Sequence, residues 1–240
     1  MVPLPDGTDR RSSMLLHLLP AICAWVVGAV GCQQDRPTGP PTARPRAEVV
    51  ASHDTTLAPS ADTYIRRLEP NQNQGTDSIL RLRALGRNRA LLRWDQAALA
   101  RAVGGRTLTS ARLELTIASL EENGGDSGRT IELHRMTHDW TELGATWNCA
   151  VDTVPANHRP SCTGPTAWNM EDSASYPWLA VPTATALIKN GQAGVVTFDV
   201  TADVLAWLAG QSSDGWVVKK TLEGKPGKVD FGSREGGAPP

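Results

Sequence analysis

From residue 59 onward the chain alternates apolar and polar residues with a period of two, and that pattern dictates strands. Leu80, Leu82 and Ala84 alternate with Arg81 and Arg83, and Ala90, Leu92 and Trp94 alternate with Leu91, Arg93 and Asp95. The same rhythm returns at Leu113-Leu115-Ile117, Ile131-Leu133, Val196-Phe198-Val200 and Trp216-Val218. Successive side chains of a strand point to opposite faces, so each run predicts one buried face and one wet face. Turn signals separate the runs: Asn73-Gln74-Gly75, Gly104-Gly105, Asn123-Gly124-Gly125, Asn190-Gly191 and Ser213-Asp214-Gly215. A content of 22 Gly and 17 Pro favours such turns over long helices.

One short helix breaks the series. Thr201 is suited to cap it, Asp203 to its first turn, and Gly210 to its end. Val204, Leu205, Trp207 and Leu208 recur at helical spacing between them. Asp95 to Val103, rich in Ala and Leu, offers a second helical turn. Many strands crossed by one short helix predict an all-β fold, a two-sheet antiparallel β-sandwich of jelly-roll type.

The chain has 240 residues, of which 40% are hydrophobic and 20% charged, so it can bury a core and is not wholly disordered. Its net charge of −1 provides no general basic field, and no nucleic-acid partner is expected.

Residues 1–31 read as a lipoprotein-type signal peptide. Arg10 and Arg11 precede an apolar run from Met14 to Gly31, which ends in small residues. Ala29-Val30-Gly31-Cys32 resembles a bacterial lipobox, in which the Cys is lipidated and begins the mature chain. An ordinary cleaved signal and a single membrane anchor are the other readings; Pro20 and His17 inside the run oppose a spanning helix. Residues 32–58, with Pro37, Pro40, Pro41 and Pro45, form a Pro-rich flexible linker. The expected location is therefore outside the cytoplasm, anchored at the outer membrane or extracellular, with the membrane met through the lipid alone.

Cys149 and Cys162 remain in the folded part. In an oxidising compartment they are expected to pair as a disulfide across a loop with no fold of its own. A zinc pair with His158 is the rival reading, and it lacks a fourth ligand.

A series of motifs adds a family likeness. It runs Ala61-Asp62-Thr63-Tyr64, then Asn73 and Gly75, Leu80-Arg81-Leu82, Leu91-Leu92-Arg93-Trp94-Asp95 and Ser110-Ala111-Arg112-Leu113-Glu114-Leu115. Trp140-Thr141-Glu142, Thr146-Trp147-Asn148, Phe198-Asp199-Val200-Thr201 with Trp207, and Phe231-Gly232-Ser233-Arg234-Glu235 complete it. This order resembles the DNRLRE-domain family, which is related to disaggregatase-type repeats and to carbohydrate-binding module family 96. The resemblance covers about residues 59–238, within a module placed at 59–240, and implies a jelly-roll module on secreted or surface proteins of bacteria and archaea. Related members bind acidic polysaccharide such as alginate, and many others have no known ligand. The family pattern continues with one more strand after Ser-Arg-Glu, so the module is expected to lack its last strand, leaving a sheet edge unpaired.

Two features suit a carbohydrate. Aromatic faces stack on sugars, and Trp168, Tyr176 and Trp178 crowd the irregular stretch 164–182; Trp94, Trp147 and Trp207 read as core. Residues 66–93 hold seven Arg against Glu69 and Asp77, a local +5. Arg81, Arg83 and Arg93 are expected on outward faces of neighbouring strands, where guanidinium groups would pair with uronic-acid carboxylates. The alternative is a solvated face balanced by acids such as Glu114 and Glu132.

Catalysis finds little support. Glu121, Glu122, Glu132, Asp139, Glu142 and Asp172 show no spacing that marks a glycosidase pair. His134, His138 and Tyr176 show none that marks a lyase, and no nucleophile elbow or phosphate loop exists. Glu132 and His134 share a strand face without further ligands. No cofactor and no metal are expected: a jelly roll can hold a structural calcium, but no loop here clusters enough Asp to suggest one. The expected function is a non-catalytic, surface-tethered carbohydrate-binding module holding acidic polysaccharide. The alternative is a structural or adhesive surface module without a sugar ligand.

Overall fold

The computed structural model describes residues 54–83, 87–121 and 129–236. The signal segment, Cys32 and nearly all of the linker lie outside the described residues. The strands are β1 (Ala61–Arg66), β2 (Ile79–Arg83), β3 (Asn88–Arg93), β4 (Arg112–Leu120), β5 (Arg129–Arg135), β6 (Ala184–Ile188), β7 (Gly194–Asp199), β8 (Trp216–Lys220) and β9 (Lys228–Gly232). All pairings are antiparallel, in the order β6-β5-β8-β3-β2-β9-β4-β7, with β1 on β3. Among the described residues, β2 and β3 share one registered pair, Arg83 with Asn88. The ends of the order, β6 and β7, lie side by side across the Asn190-Gly191 turn, so the array is nearly closed.

Register follows the apolar pattern. Leu80 and Leu82 of β2 oppose Phe231 and Val229 of β9, and Leu113 and Leu115 of β4 oppose Phe198 and Val196 of β7. These eight side chains join Ile131, Leu133, Trp216 and Val218 in one apolar cluster. A one-residue slip would turn every one of them outward, so burial of one face fixes the pairing.

The opposite face of β1, β3 and β8 is not wet, contrary to the alternation. Ile65, Leu91 and Val217 have no solvent exposure. They form a second cluster with Met136, Trp140, Trp147, Met170 and Trp178, all from the long segment between β5 and β6. That segment is irregular chain with two single 3-10 turns, so no periodicity announces it as a cover. The Cys149–Cys162 disulfide closes a loop within it, as expected from the two cysteines.

Two short helices are present where one was expected: α1 (Gln96–Val103) and α2 (Thr201–Leu208). Asp95 caps α1, its carboxylate accepting the Ala98 N–H at 2.7 Å, and Gly104 ends it at φ +60°. In α2 the N-cap position is held by Val200, without a side-chain cap, rather than by Thr201. The Asp199 carboxylate accepts the Thr201 N–H at 2.9 Å, and this hydrogen bond holds the carboxyl below its usual range. Thr201 is instead the first helical residue, and its hydroxyl accepts the Ala111 N–H at 2.9 Å, tying α2 to the start of β4. No helix of the described residues is long and apolar enough to cross a membrane.

Candidate functional site

The arginine stretch loses most of its free charge on folding. Arg81 reaches Asp230 on β9, Arg93 reaches Asp139, and Arg67 and Arg87 share Glu171. Arg66 pairs with Glu69 and Arg89 with Glu223. Apart from the local Glu69, the balancing acids are therefore distant residues brought in by the fold, not Glu114 and Glu132. Arg83 alone of the seven has neither an acidic partner nor a hydrogen bond among the described residues, and it is exposed. Arg93 lies at the opposite end of β3 from Arg83, whose partner is Asn88; five strand steps separate them, about 17 Å. The structure keeps Arg81 and Arg83 on one strand but does not bring Arg93 to them.

The aromatic residues of the 164–182 stretch divide in the same way. Trp178 is buried, with Tyr176 stacked on it at 4.3 Å and the Arg89 guanidinium 5.0 Å from its ring. It has no open face for a sugar. Trp168 is half-buried; its indole N–H donates to the Thr146 carbonyl at 3.1 Å, and its ring lies against His138. Tyr176 is half-buried and reaches the surface. Trp147 and Trp207 belong to the core as expected, and Trp94 packs at its margin with its N–H on the Leu57 carbonyl.

Tyr176 borders a shallow depression of about 510 Å³ shared with Arg87, Leu222, Glu223 and Lys225. The strands explain why cations gather there. The β2–β3 hairpin carries Arg83 and Arg87, the β8–β9 turn carries Lys225, and β9 opens with Lys228. Arg83 stands directly opposite Lys228 in the β2–β9 register. Like charges directly opposite repel; here Lys228 is offset by Glu121 and Asp230, each at 3.3 Å, and Arg83 has no acidic partner among the described residues. Lys220 braces this turn from beneath, its ammonium donating to the carbonyls of Lys225, Pro226 and Gly227 at 2.6, 2.9 and 3.1 Å. Lys228 carried no signal in sequence, because its meeting with Arg83 depends on β9 entering beside β2. A larger cleft of about 610 Å³ lies between α1, the start of β4 and residues 54–59, with Trp94, Arg106 and Arg112 on its walls.

Four of the groups considered for catalysis are held by neighbouring side chains or backbone. Burial would raise the Glu132 carboxyl, but hydrogen bonds from Lys219 and His134 outweigh it and hold it below the usual carboxylate range. His134 also meets the Leu179 carbonyl at 2.9 Å, which leaves both ring nitrogens engaged. Asp139 is tied to Arg93, and Glu142 receives the Asp62 N–H.

The sequence profile described as carbohydrate-binding module family 96 matches residues 53–190, more than half of the chain. No curated protein matches the sequence.

Proposed function

Because the chain belongs to carbohydrate-binding module family 96, we propose that it is a non-catalytic module that binds an acidic polysaccharide at its cationic end. The observation that carries this reading is Arg83 facing Lys228 with no acidic partner among the described residues, next to the hairpin and turn whose Arg87 and Lys225 share a depression with Tyr176. A sugar ring would stack on Tyr176, backed by Trp178. A uronate carboxylate would take the bidentate hydrogen bonds of a guanidinium and the point charge of Lys225. In this reading the near-closed array is a jelly roll whose two sheets join at the Arg83–Asn88 corner. The domain is of the DNRLRE kind, held away from an outer membrane by the 32–58 linker and a lipid on Cys32.

The test is affinity electrophoresis of the full chain in gels containing alginate, pectate or neutral glucan. Acidic gels retard the protein, the retardation fades as salt screens the charges, and Arg83→Ala, Lys225→Ala and Tyr176→Ala each reduce it. For the anchor, labelled fatty acid enters the wild-type chain and not Cys32→Ser.

A second reading has its own support. Six of the seven arginines are ion-paired and Trp178 is enclosed, which suits a structural or adhesive surface module without a sugar. A folded protein retarded by none of the gels overturns the first reading in favour of this one.

A further inference from the structure

Three carboxylates from distant parts of the chain meet where the last described segment closes on the first strand. Asp62 lies on β1, Glu142 in the cover segment, and Glu235 in the single 3-10 turn after β9. One oxygen from each lies within 4.8 Å of the others. Asp62 is 1% exposed, and its Oδ1 has no hydrogen-bond partner among the described residues. Its other oxygen accepts the Arg234 N–H at 2.8 Å. The Arg234 side chain reaches Glu142 at 2.6 Å and Glu235 at 3.0 Å. Three negative charges against this one guanidinium leave −2, and a buried acceptor with no donor is costly. Either protons or a cation must make up the difference.

We propose that Asp62, Glu142 and Glu235 form a calcium site that fastens the 233–236 segment to β1. The donors are all hard oxygens, the charge deficit equals that of a divalent ion, and the spacing suits calcium. At calcium–oxygen distances of 2.3–2.6 Å, two ligands of one ion stand at most about 5 Å apart, so three oxygens within 4.8 Å can share it. Magnesium, at 2.0–2.1 Å, spans only about 4.2 Å and demands a closer octahedral set. The scaffold around Glu142 is built closely. Asn73 donates to the carbonyls of Glu142 and Ala145 at 2.7 and 2.9 Å, and Gly75 packs so near that a Cβ would stand 2.4 Å from the Glu142 carbonyl oxygen. The site is separate from the cationic end, so it stands or falls apart from sugar binding. Residues 62, 142 and 235 are too far apart in sequence to read as a calcium loop.

The rival occupant is a proton. Burial, with Glu235 and Glu142 close by, pushes the Asp62 carboxyl up to about 7. The test is calorimetric titration of the EDTA-treated full chain with calcium chloride at pH 7.5, beside thermal unfolding with calcium, with magnesium and with neither. Calcium binds, raises the melting temperature by several degrees and is not replaced by equal magnesium. Glu235→Gln, at an exposed position that leaves the core intact, weakens calcium binding at least about tenfold; Asp62→Asn abolishes it. No heat and no thermal shift from the folded wild type overturns the proposal. So does Glu235→Gln binding calcium as the wild type does. Stability that depends on pH between 4 and 7 and is indifferent to calcium assigns the charge to protons and overturns it as well.

Discussion

Arg89 and Glu223 stand 134 residues apart in sequence and meet through two hydrogen bonds of 2.7 and 2.8 Å, at a point where the arginine has no exposure to solvent. The guanidinium lies 4.7 Å from the Trp147 ring, 5.3 Å from Tyr176 and 5.0 Å from Trp178, and donates once more to the Met170 carbonyl. This one charge organises the cover segment over β3. Removing its partner strands it: Glu223→Ala is expected to cost about 3–5 kcal/mol. Arg89→Met combined with Glu223→Leu costs less than either Glu223→Ala or Arg89→Lys, because a well-packed apolar pair needs no compensation. Urea unfolding followed by tryptophan fluorescence checks the order, and a double variant weaker than both singles refutes it.

The disulfide restrains a loop that contains Pro155 and Pro160 and few apolar anchors. Cross-linking a loop of this length is worth roughly 3 kcal/mol in the chain-entropy account. Cys162→Ser should therefore lower the melting temperature by about 6–12 °C for a domain of this size. Scanning calorimetry with and without reductant reads it, and reduced wild type should match the variant.

Gly75 is irreplaceable for a steric reason. A methyl group there would stand 2.4 Å from the Glu142 carbonyl oxygen, a backbone atom that cannot step aside. Gly75→Ala is expected to destabilise by about 1–3 kcal/mol. It should also weaken any cation binding at Glu142, which a purely global loss of stability would not do at temperatures well below melting.

Lys220 predicts a pH dependence. Burial, with Arg129 nearby, pulls its ammonium down to about 8 from the ordinary 10.5, while Glu223 opposes the shift. Between those two values the unfolded chain binds the proton and the folded chain gives it up, so stability rises with pH. Tyr64, pushed up to about 12 by burial and Asp77, acts in the reverse sense above pH 10. The clean window is pH 8 to 10: the melting temperature should climb across it in wild type and stay flatter in Lys220→Met. Equal slopes in both proteins would remove Lys220 as the cause.

Much of the strand framework was legible because one buried face leaves a period of two, as at Leu80-Leu82 and Leu113-Leu115. The double burial of β3 and β8 was not, since the covering chain from Met136 to Trp178 has no period of its own. Charge was the least legible quantity. A local count of Arg against acid between residues 66 and 93 suggested a free stripe, while Asp139, Glu171, Glu223 and Asp230 arrive only through the topology. The cationic end was hidden for the same reason: Arg83 and Lys228 become neighbours through register, which sequence spacing does not carry.

β9 lies between β2 and β4, both far earlier in sequence, and supplies Val229 and Phe231 to the main cluster. Until residues 228–232 emerge, β2 and β4 have no strand to join them, and Asp62 has no Arg234 to meet. A growing chain can form hairpins but cannot close the array. Closure then depends on contacts of high sequence separation, which form slowly. Without residues 228–232 the polypeptide thus stays an open array whose apolar face has no strand to seal it.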